Sequence, residues 1–401
     1  MQVQYRATQA EINLDHLRDN CQAFRRALPE GMRLLACVKA DAYGHGAVET
    51  ARELERAGAD YLSVAFLDEA IQLRRAGIQA PVLVLGYTPP EGIRAAWEHR
   101  ITVTAFSPEV LEAIRNLPEE SLKQPLKVHI KIDSGMGRLG LLPGDAAVSF
   151  VEKALETPQA EVEGLFTHFS KADEEDKSYT HEQYRRFASV VSALEQKGIR
   201  LPILHTGNSA TAIDMPELSF NMVRIGISMY GLYPSDEVNR QRIALKPVLT
   251  LKTKAAFVKK LPPHWGVSYG ARYVTEAEEM IATLPIGYAD GYSRMLSGKA
   301  EVLIRGRRVP VVGTICMDQC MVSLRSFGKE AEGIQAGEEV VLIGSQSGSS
   351  ITADELASWL GTINYEVVCM IAGRVPRLYV RSGHPVRLVN SLLPDFEEKT
   401  G

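Results

Sequence analysis

The residues best placed to do chemistry in this 401-residue chain lie in Leu34-Leu35-Ala36-Cys37-Val38-Lys39-Ala40-Asp41-Ala42-Tyr43-Gly44-His45-Gly46. An apolar run of strand type delivers Lys39 at its carboxyl end, then breaks into a loop with Tyr43, His45 and two glycines. A lysine ending a buried strand must have its ammonium paired or desolvated. Desolvation lowers the amine's pKa, and the neutral amine is the form that attacks an aldehyde to make a Schiff base. Tyr43 and the nearby glycine amides suit an anionic group such as a phosphate. The combination points to pyridoxal phosphate (PLP) carried by Lys39. The bland alternative is a strand-end lysine reaching the surface beside a glycine turn.

The elements that must position Lys39 repeat along the chain. Strand-like apolar runs at 34–38, 61–66, 82–85, 101–105, 126–132, 162–166, 203–206 and 222–225 alternate with amphipathic stretches such as 47–57, 67–76, 108–116, 146–155 and 181–197. Eight strand–helix repeats in some two hundred residues predict an α/β fold, a (β/α)8 barrel, with a doubly wound open sheet as the competitor. Chemistry in such barrels sits at the carboxyl ends of the strands. The polar exceptions fall there: Lys39, Lys131 with Arg138, His168, His205 with Ser209, and Arg224. Beyond about Leu245 the pattern changes to strands at 248–258, 279–284, 300–304, 309–312, 321–324 and 339–343, with a helix only at 352–360. We therefore expect a barrel over 11–240, a mostly β domain over 241–385 to which residues 1–10 pair back, and a tail over 386–401.

Composition narrows the function class. A net charge of −4 from 45 basic and 49 acidic residues gives no electropositive face for nucleic acid. Hydrophobic content of 45% and charged content of 23% are those of an ordinary globular enzyme. No apolar run approaches the roughly 20 residues of a membrane span, and the first residues lack a basic-then-apolar leader. Cys21, Cys37, Cys316, Cys320 and Cys369 are scattered, and the C-x3-C spacing of 316 and 320 fits neither a zinc ribbon nor a redox pair. A cytoplasmic protein with reduced thiols and no metal is expected.

Val38-Lys39-Ala40-Asp41-Ala42-Tyr43-Gly44-His45-Gly46 closely resembles the PLP-lysine motif of alanine racemases. Further motifs match in order: Asp133-Ser134-Gly135-Met136-Gly137-Arg138-Leu139-Gly140, His205-Thr206-Gly207-Asn208-Ser209, Asn221-Met222-Val223-Arg224-Ile225-Gly226, Trp265-Gly266-Val267-Ser268-Tyr269-Gly270, Cys316-Met317-Asp318 and Asn364-Tyr365-Glu366. The resemblance covers about 5–380. Departures are minor, at Ser170 and Lys171.

The resemblance implies roles. Arg224 would face the pyridine nitrogen; an arginine stays protonated, so that nitrogen accepts a hydrogen bond and stays unprotonated. The ring is then a poor electron sink and the carbanion is short-lived, which favours racemisation over transamination. His205 would support Arg224, and Tyr43, Ser209, Gly226, Ile227 and Tyr365 would hold the phosphate region. His168 would lie near the ring face with no part in proton transfer, though alone it reads as a core histidine. Racemisation needs acid–base groups on both faces of the α-carbon: Lys39 for D-alanine and Tyr269, supplied across a dimer interface, for L-alanine. A tyrosine needs a neighbouring cation to act near neutrality; by residue chemistry alone Tyr269 is a strand-edge aromatic. Arg138 and the Met317 amide would hold the substrate carboxylate, with Asp318 completing the pocket. Lys131 aligns with a lysine carbamylated in many relatives, an anion able to orient Arg138. Asp173, Tyr288 and Arg294 would line the access corridor, and a gate formed by Tyr269 and Tyr365 would restrict the side chain to about a methyl. The implied enzyme interconverts L- and D-alanine as a homodimer with shared sites, supplying D-alanine for peptidoglycan. The rivals are a broader racemase, a PLP carrier limited to the barrel half, and a decarboxylase, which an arginine at 224 disfavours.

Overall fold

The computed structural model describes residues 4–393. It divides into two compact units: a barrel unit of residues 16–42 and 47–246, and a β unit of residues up to 15, 43–46 and from 247 onward. After β1 (Gln9–Asn13), which belongs to the β unit, come the eight barrel strands. They are β2 (Arg33–Cys37), β3 (Tyr61–Val64), β4 (Val82–Val84), β5 (Thr102–Ala105), β6 (Leu126–Lys131), β7 (Ala160–Phe166), β8 (Ile203–His205) and β9 (Met222–Ile225). All pair in parallel, in the order β8-β7-β6-β5-β4-β3-β2-β9. The two end strands are tied by Asn221 N–H to the Leu204 carbonyl at 3.3 Å and Arg224 N–H to the Gly207 carbonyl at 3.1 Å, so the barrel nearly closes. Strands β3, β4, β5 and β9 are buried at every residue, which is why they read as largely apolar runs, broken only at Ser63, Thr102, Thr104 and Arg224. The helices between them bury one stripe each; Pro108–Arg115, for example, opens on proline and buries Val110, Leu111 and Ile114.

Before residue 247, three helices go beyond the sequence expectation: Leu14–Ala27, Ile93–Glu98 and Ser209–Asp214. The first was readable, since Leu14, Leu17, Cys21, Phe24 and Leu28 repeat at helical spacing and are all buried. The other two, at six residues, are too short to show a period.

The β unit continues with β10 (Leu249–Lys254), β11 (Phe257–Leu261), β12 (Gly266–Val267), β13 (Tyr273–Val274), β14 (Glu279–Leu284), β15 (Glu301–Ile304), β16 (Arg307–Val312), β17 (Cys320–Ser323), β18 (Glu339–Gln346), β19 (Ser349–Ile351), β20 (Arg377–Arg381) and β21 (His384–Val389). One sheet runs β11-β14-β17-β16-β15-β18-β10-β1-β20-β21, with β19 on β18. The expected single strand over 248–258 is two, because the chain changes partner: Ala255 N–H goes to the Glu338 carbonyl and Ala256 N–H to the Thr283 carbonyl. Thr352 and Glu355 form a capping box on Ala353–Leu360, and a second helix, Asn364–Cys369, carries Tyr365. The expected tail begins inside β21, and its residues 394–401 lie outside the described residues. No helix among the described residues is long and apolar enough to cross a membrane.

Candidate active site

In the barrel unit, β2 and β9 are neighbours with Leu35 opposite Arg224 and Ala36 opposite Ile225. Lys39, half-buried two residues past β2, and Arg224, 3% exposed on β9, therefore emerge at the same end of adjacent strands. After Lys39 the backbone turns left-handed at Ala40, Asp41, Ala42 and Tyr43, with φ of 52° to 54°. L-residues avoid this region at a cost of roughly 1–2 kcal/mol each, and strain of this kind concentrates where function fixes the backbone. Asp41 Oδ1 anchors the turn by accepting the Ala47 N–H at 2.8 Å.

Arg224 organises the barrel's carboxyl end. Its Nη2 donates to the carbonyls of Thr167 and Thr206, both at 2.9 Å, and to His168 Nδ1 at 3.0 Å, while Nη1 donates to His205 Nδ1 at 3.0 Å. None of these acceptors is a carboxylate. Burial brings the guanidinium down to about 10, still cationic at neutral pH, and pushes both imidazoles well below their usual value. The Phe166 ring stacks on His205 with centroids 4.7 Å apart and carries the Arg224 and Lys131 cations at 5.6 and 5.3 Å. Burial, followed by the charges of Arg138 and Arg224, lowers Lys131 to about 8. Ser209 Oγ accepts the Gly226 N–H at 2.9 Å, bringing together two of the expected phosphate ligands, and the next residue of that set, Ile227, is fully buried.

Arg138 is placed by Asp133, whose carboxylate accepts the backbone N–H groups of Gly135, Met136, Gly137 and Arg138 at 2.8 to 3.0 Å. Against burial, which would raise it, those four donors hold the Asp133 carboxyl below its usual range. The Arg138 side chain itself is exposed.

The remaining expected residues, Asp173 apart, lie in the β unit. Tyr43 and Tyr365 face each other there, with ring centroids 6.2 Å apart. Gly44 beside them has φ +80°, and a Cβ on it would sit 2.2 Å from the Val368 carbonyl oxygen, so only glycine fits. Tyr269 is 74% exposed and Met317 52% exposed. Their loops are tied, Thr314 Oγ1 donating to the Tyr269 carbonyl at 3.0 Å and the Ser268 hydroxyl to the Thr314 carbonyl. The turn carrying Tyr288 joins them: Tyr288 and Ala289 N–H donate to the carbonyls of Cys316 and Met317, both at 3.0 Å. Tyr288 and Arg294 line one depression of about 410 Å³ with Ser293 and Met370. Asp173 stands apart from this set in the barrel unit, its carbonyl taking the Ser235 hydroxyl.

Sequence reading missed the residues that hold these in place. Asp290, its side chain fully buried, accepts from Arg6, from Arg374 Nε at 2.6 Å and from Gly287 N–H at 3.0 Å; Arg374 Nη2 then reaches Asp318 at 2.7 Å. Nothing in the local pattern links Arg6, Asp290 and Arg374. His129 and Glu163 were missed too, although the alternation of Lys127, His129 and Lys131 along a barrel strand could have pointed to His129.

The barrel-borne residues fit PLP. Lys39, Lys131, Arg138 and Arg224 crowd positive charge around Lys131, with Asp133 the opposing carboxylate there. Such a site suits an anion, an amine suits an aldehyde, and an arginine with no acid beside it suits a ring nitrogen that accepts a hydrogen bond.

Comparison with known proteins gives the same picture. The family models described as alanine racemase, N-terminal domain, and alanine racemase, C-terminal domain, match residues 12–234 and 248–379. An alanine racemase of Desulfovibrio desulfuricans is 49% identical over 371 residues, 92% of this chain and 97% of that one. Solved structures agree: alanine racemase of Clostridium difficile 630 matches with a TM-score of 0.91 at 43% identity, covering 97% and 99% of the two chains. The Bacillus anthracis enzyme with bound L-Ala-P matches with a TM-score of 0.91 at 42% identity, covering 98% and 99%.

Proposed function

The chain belongs to the alanine racemase family, and on that footing we propose that it interconverts L- and D-alanine with PLP held by Lys39, as a cytoplasmic homodimer supplying D-alanine for peptidoglycan. The observation that carries this reading is Arg224, a buried cation whose every partner is an imidazole or a carbonyl. An acid there would favour electron-sink chemistry; an arginine favours proton exchange at the α-carbon and nothing more.

Bound PLP supplies the acidity of the substrate's α-C–H. This chain's residues do the rest. Tyr43, Ser209, Gly226, Ile227 and Tyr365 would hold the phosphate region, His168 would support the ring, and Arg224 would donate to its nitrogen. The Lys39 amine moves the α-proton on the D-alanine face, and the phenol of Tyr269 from a second copy moves it on the L-alanine face. Arg138 and the Met317 backbone amide orient the carboxylate, supported by Asp318 and by a Lys131 that has taken up CO2. Tyr288, Arg294 and Asp173 border the way in. A Tyr269 and Met317 this exposed in the single chain support a site completed only when two copies meet.

Circular dichroism of L-alanine incubated with purified protein and PLP tests the function. The signal is expected to decay to zero while total alanine stays constant. A constant signal with PLP bound would overturn alanine as substrate and bring other amino acids, or a carrier role, forward.

A further inference from the structure

The barrel interior holds a chain of hydrogen bonds that the scheme above does not use. Interiors of such barrels are filled mainly by branched apolar side chains. Here the middle of β6 carries His129, 0% exposed, with Glu163 of β7 beside it. Buried ionisable groups are unfavourable unless every polar atom is matched. The fold makes room for this one: a Cβ on Gly164 would lie 2.6 Å from His129 Nδ1, so β7 gives up a side chain to admit the ring.

The direction of the chain is fixed from both ends. Arginine has only donors, so His205 Nδ1, 3.0 Å from Arg224 Nη1, accepts, and a neutral His205 carries its proton on Nε2. That proton points at His129 Nδ1, 2.8 Å away, which must accept in turn. The His129 proton is then on Nε2, 3.3 Å from Glu163 Oε2. From the far end, Lys127 Nζ sits 2.6 Å from Glu163 Oε1 and keeps the carboxylate an acceptor. Moving the proton of either ring to Nδ1 would set donor against donor. The charge states agree: burial keeps both imidazoles neutral, and hydrogen bonds from His129 and Lys127 overcome burial to hold Glu163 down at about 2.

We propose that His129 and Glu163 are positioning residues of the cofactor site: through His205 they hold the Arg224 guanidinium in one plane and keep it a fixed donor toward the cofactor's ring nitrogen. The inference rests on the reading that Arg224 faces that nitrogen. It adds two interior residues, on β6 and β7, that the sequence analysis did not single out.

The first test needs no cofactor. Histidine-selective 15N spectra of the cofactor-free protein, assigned with His129→Gln and His205→Gln, are expected to show both rings neutral with the proton on Nε2. A proton on Nδ1 of either ring, or an imidazolium at neutral pH, would overturn the proposal. The second test cuts the chain with His129→Leu. The His205 Nε2–H is expected to lose its acceptor and its 15N signal to move, PLP to bind more weakly, and kcat to fall roughly tenfold or more, as loss of outer supporting partners commonly causes. His129→Gln, which accepts through one atom and donates through the other, is expected to restore most of that loss. A lower melting temperature with kcat and the His205 Nε2 signal unchanged would make His129 merely structural. Should His129→Leu not fold, Glu163→Leu removes the acceptor at the far end of the chain; an unchanged kcat and His129 15N signal there would count equally against the proposal. Arg224→Lys separates the two readings: harmless, it sinks the placement of Arg224; harmful while His129→Leu is harmless, it sinks only this inference.

Discussion

Lys131 is held to about 8 first by burial and then by neighbouring cations, so part of it is neutral near physiological pH. A lysine whose folded value lies below its ordinary 10.5 lowers stability wherever both states are protonated, below about pH 8, and that loss is relieved as pH rises from about 8 toward 10.5. At 1.36 kcal/mol per unit the loss is about 3 kcal/mol. Lys131→Met is therefore expected to raise the denaturant midpoint at neutral pH in CO2-free buffer. With bicarbonate present, attack of the neutral amine on CO2 forms the carbamate and releases a proton, turning an unfavourable cation into a favourable anion. The ranking of the two proteins is then expected to reverse; equal midpoints in both buffers would refute carbamylation. Tyr269 makes a second prediction. Tyr269→Phe is expected to slow exchange of the α-proton into solvent from L-alanine far more than from D-alanine, measured by proton NMR in D2O, and equal losses would exclude the two-face scheme.

Elements explain what the sequence could and could not show. The barrel was legible because its strands are buried over most of their length and its longer helices show a stripe; the break at Ala255 was not, because a change of hydrogen-bond partner leaves no mark on hydropathy. Lys39 and Arg224 were legible because they end apolar strands. The clamp formed by Asp290 was not, since Arg6 and Arg374 lie 284 and 84 positions from it, on opposite sides. That clamp has a kinetic consequence. Arg374 bridges Asp290, at the end of the Tyr288 turn, to Asp318, beside Met317. Arg374→Ala is expected to loosen the Met317 amide and raise KM for alanine roughly tenfold with kcat little changed, the mark of lost ground-state binding. An unchanged KM would show that the loop holds itself. Lysine is a poor substitute there, because one guanidinium fork spans both carboxylates.

At the scale of the whole molecule, a site completed by a second copy predicts complementation. A heterodimer of Lys39→Ala and Tyr269→Phe chains has one site with both defects and one with neither. Randomly mixed dimers are thus expected to recover roughly a quarter of full activity from two inactive parents. No recovery, with heterodimers demonstrated by mass spectrometry, would place each site within one chain. A different consequence follows from residues 43–46, which lie between barrel segments yet belong to the β unit. The Gly44 carbonyl accepts from Arg377 Nε and Nη2 at 3.2 and 3.1 Å, and the His45 carbonyl from the Tyr379 hydroxyl at 3.1 Å. On the ribosome those partners are made more than three hundred residues after the loop they fasten, on the order of half a minute later. The nascent barrel can close its strands during that wait, but the backbone beyond Lys39 settles only when the end of the chain arrives. On the proposed function, competence to hold PLP is thus a late event in synthesis, and a prematurely terminated chain is expected to be a barrel that cannot be charged.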